Sequence, residues 1–331
     1  MAVFTEVPYD EAAAFLRRVG LGDLRAMAVC SGGIENTNYF VDTDRGEYVL
    51  TLFERLAWEQ LPFYLHLMQH LAKRGLPVPK PAPDAEGRIL HRLKGKPATV
   101  VGRLRGRCEL SPDARHCGAV GDMLARMHLA GKDYARHQPN LRGLPWWTET
   151  VPALLPYVGK DQCKLLLDEL DFQTKVAASS GYAALPRGPV HADLFRDNVM
   201  FQGGCLSGVL DFYFAGCDTF LFDIGVCLND WCVDLGNGRI DAVRRAAFLN
   251  AYQSARPLVA EEQRLLPTLE RAAALRFWIS RLWDCHIPRE AAVLKVHDPS
   301  HFERVLRQRV SDAAGAGIFY LPERTLGQPR P

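Results

Sequence analysis

The sequence predicts an α+β chain of two lobes. Three observations carry this. Short apolar runs separated by turn residues fill the first hundred positions around two amphipathic stretches. Apolar residues at helical spacing dominate from Pro112 onward. Within that helical part, residues 189–212 form a polar loop followed by two short apolar strands. A run of strands followed by a run of helices is the order of a segregated α+β fold rather than of alternating βα units. The expected division is a sheet lobe at residues 1–101 and a larger, mainly helical lobe at 102–331.

In chain order, residues 8–19 read as a helix. Phe15, Leu16 and Val19 share a face, and Gly20 and Gly22 stop it. Residues 26–30 read as a strand. Ser31-Gly32-Gly33-Ile34-Glu35-Asn36 follows, where two glycines let backbone amides approach phosphate oxygens. Alone, this segment is equally a hairpin turn, and it lacks the spacing of a Walker loop. Strands are expected at 38–41 and 47–53 around the turn 42–46. A helix is expected at 61–73, tolerating Pro62 in its first turn and ending at Gly75. The proline-rich stretch 76–83 is extended. Ile89-Leu90 and residues 99–101 complete a sheet of about five strands.

Further helices are expected at 112–129, 146–155, 161–178, 242–254, 261–287 and 300–312. Another begins near Asp223 and ends at Asn229-Asp230-Trp231-Cys232. His128 closes an apolar helix face and reads as a packed histidine rather than a ligand. The last eighteen or so residues read as a loose tail.

Composition narrows the function class. The chain has 331 residues, 48% hydrophobic and 24% charged, as an ordinary globular protein does. A net charge of +2 gives no argument for a nucleic-acid partner, and Arg103, Arg105 and Arg107 read as a solvated rim. The nine cysteines include no Cys-x-x-Cys pair, and Cys227 and Cys232 sit in apolar settings. They read as buried free thiols of a reducing compartment, and scattered histidines argue against zinc. The start carries Glu6, Asp10 and Glu11 rather than a signal-peptide pattern, and no apolar run approaches a membrane span. The expectation is a soluble cytoplasmic protein with no membrane partner, a monomer or small homo-oligomer.

The chemistry concentrates in His191-Ala192-Asp193-Leu194-Phe195-Arg196-Asp197-Asn198 and in Asp211-Phe212. Asp193 offers a carboxylate, Asn198 an amide, and Asp211 a second carboxylate after the second strand. A phosphotransferase needs this set. One acid accepts the proton of the attacking hydroxyl, while an amide oxygen and another carboxylate hold magnesium on nucleotide phosphates. Each residue alone is common in loops. The complete spacing is much rarer.

The pattern resembles the catalytic loop and metal-binding aspartate of protein kinases. His-Ala-Asp in place of His-Arg-Asp, and no glycine after Asp211-Phe212, point to the related aminoglycoside phosphotransferase-like small-molecule kinases. Within that family the chain resembles the homoserine kinases. The likeness covers most of its length, with Tyr48-Val49-Leu50-Thr51-Leu52-Phe53-Glu54, Leu61-Pro62-Phe63-Tyr64-Leu65, Cys227-Leu228-Asn229-Asp230-Trp231-Cys232 and Ala274-Leu275-Arg276-Phe277-Trp278 its most telling parts. The resemblance implies a protein-kinase-like fold and ATP-dependent phosphorylation of L-homoserine to O-phospho-L-homoserine for threonine synthesis. It implies ATP and Mg2+ as cofactors, Asp193 as the catalytic acceptor, and Asn198 and Asp211 as metal ligands. It places Gly32, Gly33 and Asn36 at the phosphates and Val101 and Arg103 at the hinge beside the adenine. It makes Asp223 a brace for the catalytic loop. One departure stands out: the strand that delivers a lysine to the phosphates in the family has Thr51 in that slot, with Arg55 the nearest basic residue.

A zwitterionic substrate needs an acceptor for its ammonium, a cation for its carboxylate, and walls. Asp230 is the candidate acceptor, and Arg196 or Arg281 the candidate cation. Trp231, Trp278 and Trp283 are candidate walls, although tryptophans usually belong to cores. Spacing alone supports only a small-molecule kinase, so choline, methylthioribose and aminoglycosides stay open as substrates. The net charge shows no bias toward polycations. A nucleotide-binding module without turnover draws support from Thr51 and is opposed by the intact Asp193, Asn198 and Asp211.

Overall fold

The structure is a computed structural model and describes residues 5–30, 36–287 and 298–315. The N-terminal lobe comprises α1 (Tyr9–Arg18), β1 (Leu24–Val29), β2 (Asn36–Thr43), β3 (Gly46–Phe53), α2 (Leu61–Lys73), β4 (His91–Leu93) and β5 (Lys96–Gly102). Its strands form one antiparallel sheet in the order β1-β2-β3-β5-β4. Successive side chains alternate faces, so the register defines two surfaces. Tyr39, Val41, Leu50, Leu52, Ala98 and Val100 join Phe15 and Leu16 of α1 in a core of their own. The opposite face carries the pairs Asn36↔Phe53, Asn38↔Thr51, Phe40↔Val49 and Val49↔Val101. This face looks toward the second lobe: the rings of Phe53 and Tyr213 meet edge-on with centroids 5.0 Å apart.

The fourth strand starts at His91 rather than Ile89, because the Ile89 carbonyl accepts the Thr99 hydroxyl at 2.8 Å instead of a ladder hydrogen bond. The proline-rich stretch lies along the outer side of β5, with Ala82 N–H donating to the Val100 carbonyl and Gly102 N–H to the Lys80 carbonyl.

After Gly102 the chain enters the second lobe. It contains β6 (Arg107–Cys108), α3 (Ala114–Gly131), α4 (Leu144–Leu154), α5 (Lys160–Ala177), α6 (Ser180–Ala183), β7 (Arg187–Val190), β8 (Val199–Gln202), β9 (Cys205–Val209), β10 (Gly216–Thr219), α7 (Phe220–Trp231), α8 (Ala242–Ala255), α9 (Ala260–His286) and α10 (Ser300–Gly315). The α3 helix begins two residues later than expected. Asp113 caps it, its Oδ1 accepting the N–H groups of Arg115 and His116 at 2.9 and 3.0 Å. The small sheets β6-β8-β9 and β10-β7 flank the polar loop between β7 and β8.

Helix α7 is buried on every side. Gly225 permits this. A Cβ there would stand 2.7 Å from the Leu269 carbonyl oxygen of α9. Burial all round means that any charged side chain on α7 must find partners inside. All nine cysteines are free thiols, with Cys117, Cys227 and Cys232 buried. Among the described residues, no helix is long and apolar enough to cross a membrane. Most of the expected tail, residues 316–331, lies outside the described residues.

Candidate active site

The loop between β7 and β8 is shaped by its own polar groups. Buried His191 donates from Nε2 to the Leu210 carbonyl at 2.7 Å, which fixes the proton on that nitrogen. Its Nδ1 then accepts the Asp193 N–H at 3.3 Å. Burial lowers the His191 pKa, keeping the ring neutral. Ala192 is left-handed, with φ 62°. Such a conformation costs a residue with a Cβ roughly 1–2 kcal/mol.

Asn198 folds back on Asp193. Its Nδ2 donates to the Asp193 carbonyl at 2.8 Å and to Asp193 Oδ2 at 3.2 Å. The amide nitrogen thus faces the carboxylate, and the amide oxygen is the atom left to a cation. Leu210 N–H donates to the Asn198 carbonyl at 2.8 Å, which draws the following residue, Asp211, to the same edge. Asp211 does not end the strand as expected. The ladder stops at Val209, and Asp211 turns out of it with φ 56° and ψ 67°. The structure therefore brings Asp193, Asn198 and Asp211 to one edge of the lobe.

Asp223 braces this loop from α7. Its Oδ2 accepts the His191 N–H and its Oδ1 the Ala192 N–H, each at 2.8 Å. His128 Nε2 donates to the same Oδ2 at 3.0 Å. Burial alone pushes the Asp223 pKa up, but His128, His191 and the backbone donor pull it below the usual carboxylate value. Burial holds the His128 pKa down. The chain of bonds continues outward: the Tyr252 hydroxyl donates to His128 Nδ1 at 2.7 Å and accepts from Arg256 Nη1 at 3.0 Å. Arg256 Nη2 reaches Glu262 Oε1 at 2.8 Å. The sequence pointed to Asp223 and placed His128 in the interior. Tyr252, Arg256 and Glu262 are near one another in sequence, but the bond that ties them to His128 spans 124 residues, so no local pattern joins them to the loop.

The expected substrate residues divide. Arg196 donates from its backbone N–H and its Nε to Asp230 Oδ2, at 2.8 and 3.1 Å, and from Nη1 to the Leu110 carbonyl at 2.9 Å. The residues expected to meet opposite ends of the substrate are thus paired with each other and tie the loop to α7. Trp231 is a correction. It is fully buried, and its Nε1 donates to the Leu194 carbonyl at 2.9 Å, so it supports the loop from below rather than forming a wall. Trp278 is likewise fully buried. Arg281 is half-buried on α9, its guanidinium 4.5 Å from the Phe302 ring centroid. Its Nη1 donates to the Asp298 carbonyl at 3.4 Å; burial lowers its pKa, while Asp230, Asp193 and Asp197 favour its charge. Arg276, not singled out from the sequence, lies buried with its guanidinium 5.2 Å from the ring centroid of Phe214, just past Asp211.

On the nucleotide side, Gly32 and Gly33 lie outside the described residues. Asn36 opens β2. Thr51 is buried, and its hydroxyl donates to Asn38 Oδ1 at 2.7 Å. Val101 is still a strand residue, flanked by Val49 and Pro81, so its peptide serves the sheet rather than a hinge. The chain leaves the sheet beyond it. Arg103 lays its guanidinium 4.1 Å from the Phe40 ring centroid and 3.8 Å from Asp42 Oδ1. Lys96 pairs with Glu54, both on the α1 side of the sheet.

The chain is similar to known proteins over most of its length. The phosphotransferase enzyme family matches residues 27–258. The homoserine kinase of Polaromonas naphthalenivorans is 68% identical, aligned over 94% of this chain and 98% of its own length. That of Paraburkholderia xenovorans is 56% identical over 96% and 98%. The chain belongs to the homoserine kinase branch of this phosphotransferase family. Solved structures of distant relatives share the fold: amicoumacin kinase in complex with AMP-PNP and Ca2+ (TM-score 0.66, 18% identity, 94% of this chain and 96% of its own). Choline kinase from Cryptosporidium parvum gives a TM-score of 0.64 at 12% identity over 95% and 98%. The architecture of the family is the protein-kinase-like one expected from the sequence.

Proposed function

We propose that the chain is a homoserine kinase, transferring the terminal phosphoryl group of ATP to the hydroxyl of L-homoserine. The product, O-phospho-L-homoserine, serves threonine biosynthesis. The observation that carries this reading is the 68% identity to a homoserine kinase across almost the whole of both chains. In this reading residues 1–101 cover the nucleotide and residues 102–331 carry the chemistry. Both substrates are small molecules met in the cytoplasm.

Asp193 accepts the hydroxyl proton. A loose phosphoryl-transfer transition state asks little base strength of it. Its larger role is to orient the hydroxyl, helped by the Asn198 amide that fixes its carboxylate at 3.2 Å. The amide oxygen of Asn198 and the carboxylate of Asp211 are hard oxygen donors that suit magnesium. No group of three or more His, Cys, Asp or Glu side chains poised for a metal occurs among the described residues. A set of one amide oxygen and one carboxylate would share its ion with phosphate oxygens rather than cage it by protein alone. When bound, magnesium neutralises charge on the phosphates. Arg281 is the candidate cation for the substrate carboxylate, since Arg196 and Asp230 already hold one another.

The test is ATP consumption by the purified protein with magnesium across L-homoserine, D-homoserine, L-serine, choline, methylthioribose and kanamycin. Strong preference for L-homoserine, with a phosphorylated product by mass, is the expected result. Preference for another alcohol discards the substrate, and ATP binding without turnover on any of them discards the enzyme.

A further inference from the structure

Thr51 occupies the strand position where a kinase of this architecture carries its phosphate-binding lysine. Its surroundings say what stands in. The register sets Thr51 between Asn38 on β2 and Thr99 on β5. Thr99 donates its hydroxyl to the Ile89 carbonyl at 2.8 Å. Thr51 is itself buried and donates to Asn38 Oδ1 at 2.7 Å. A side-chain amide whose oxygen is held in this way must aim its N–H donors elsewhere. One of them lies 3.5 Å from the Asn36 carbonyl, the long limit of a hydrogen bond, and Asn38 is only half-buried.

The direction of that amide follows from the pleat. Asn36, Asn38, Thr51 and Phe53 share one face of the sheet. On that face Phe53 touches Tyr213 with ring centroids 5.0 Å apart, and Tyr213 lies two residues past Asp211. This part of β2 and β3 therefore overhangs the segment that bears the candidate metal ligand. Phosphates sharing an ion with Asp211 would pass beneath Asn38.

We propose that Asn38 is a phosphate-binding residue, its side-chain N–H donating to the phosphate chain of ATP where other kinases use lysine, with Thr51 as the positioning residue that fixes the amide. This rests on Asp211 being a metal ligand. A neutral donor leaves the phosphate charge to the metal, so nucleotide binding depends steeply on magnesium.

The full chain is titrated by calorimetry with ATP plus magnesium and with adenosine, for wild type, Asn38→Ala, Asn38→Asp, Thr51→Val and Asp211→Ala. Removing one hydrogen bond to a charged group weakens MgATP roughly tenfold or more in Asn38→Ala, with adenosine unchanged. Asn38→Asp weakens MgATP further by repulsion, and Thr51→Val weakens it about threefold as the amide loses its anchor. If Asn38 served only to accept the Thr51 hydroxyl, a carboxylate would serve as well, so wild-type MgATP affinity in Asn38→Asp overturns the proposal. Equal losses for MgATP and adenosine overturn it too. An unaffected Asp211→Ala instead removes the metal reading, and Asn38 is then decided by the comparison of ATP with adenosine alone.

Discussion

Asp223 holds Ala192 in its left-handed conformation: Oδ1 accepts the Ala192 N–H at 2.8 Å while the residue sits at φ 62°. The strain of that residue is offset by a charged acceptor in a dry site, where hydrogen bonds to charged groups are strongest. The geometry sets the backbone of the next residue, Asp193. Asp223→Asn presents an N–H group to donors that need an acceptor. It should cost about 3 kcal/mol of stability and lower turnover as the loop relaxes. Urea unfolding and steady-state kinetics on the same preparation check both, and wild-type stability would show that the brace is dispensable.

Asp193→Asn keeps the volume and the acceptor oxygen but cannot take a proton. Turnover should fall at least a hundredfold, with ATP binding near normal because the metal ligands are untouched. A variant retaining more than a tenth of wild-type turnover would place the acceptor role elsewhere.

The legible part of this site is the part that is close in sequence. Asp193, Asn198 and Asp211 lie on one short stretch, and their spacing is the chemistry. Asp223 was visible as a carboxylate at a helix start. The pairing of Arg196 with Asp230 joins residues 34 apart, and Tyr252 meets His128 across 124 residues; no local pattern announces such partners. Trp231 looked like a wall because only the packing of α7 shows that every side of this helix is covered. The strands β7 and β10 leave no strand pattern in the sequence because Gly188, Pro189 and Gly216 read as turn residues, while their pairing runs Gly216↔Val190 to Thr219↔Arg187. Thr51 showed a missing lysine, but the amide of Asn38 emerges only when strand register sets the two side by side.

The two buried histidines of the brace make stability depend on pH. Burial lowers the pKa of both His128 and His191. An unfolded histidine titrates near about 6.5. Below that value the unfolded chain binds protons that the native state refuses, so native stability is fully present above it and falls as pH falls. Between pH ~7.5 and ~5.5 the two groups together account for a loss of up to about 3 kcal/mol. The Asp223 carboxylate, whose pKa is lowered, adds its own loss only at more acidic pH. Urea midpoints across this range check the slope, and a flat profile would mean that both rings charge without disturbing the fold.

Arg281 and Trp231 give opposite expectations although the sequence groups them together. Arg281 is half-buried, and Asp230, Asp193 and Asp197 favour its charge; in the proposed function it meets the anionic group of the substrate. Arg281→Met should raise KM for L-homoserine at least tenfold, about the worth of one desolvated charge pair, and leave KM for ATP unchanged. Trp231 is enclosed, with its ring N–H on the Leu194 carbonyl at 2.9 Å. Trp231→Phe leaves that carbonyl only the weak Cys227 thiol donor at 3.6 Å and opens a cavity, costing about 2–4 kcal/mol of stability with KM for L-homoserine unchanged. A rise in KM for Trp231→Phe, with Arg281→Met behaving as wild type, would mean that the substrate reaches α7 rather than Arg281 on α9.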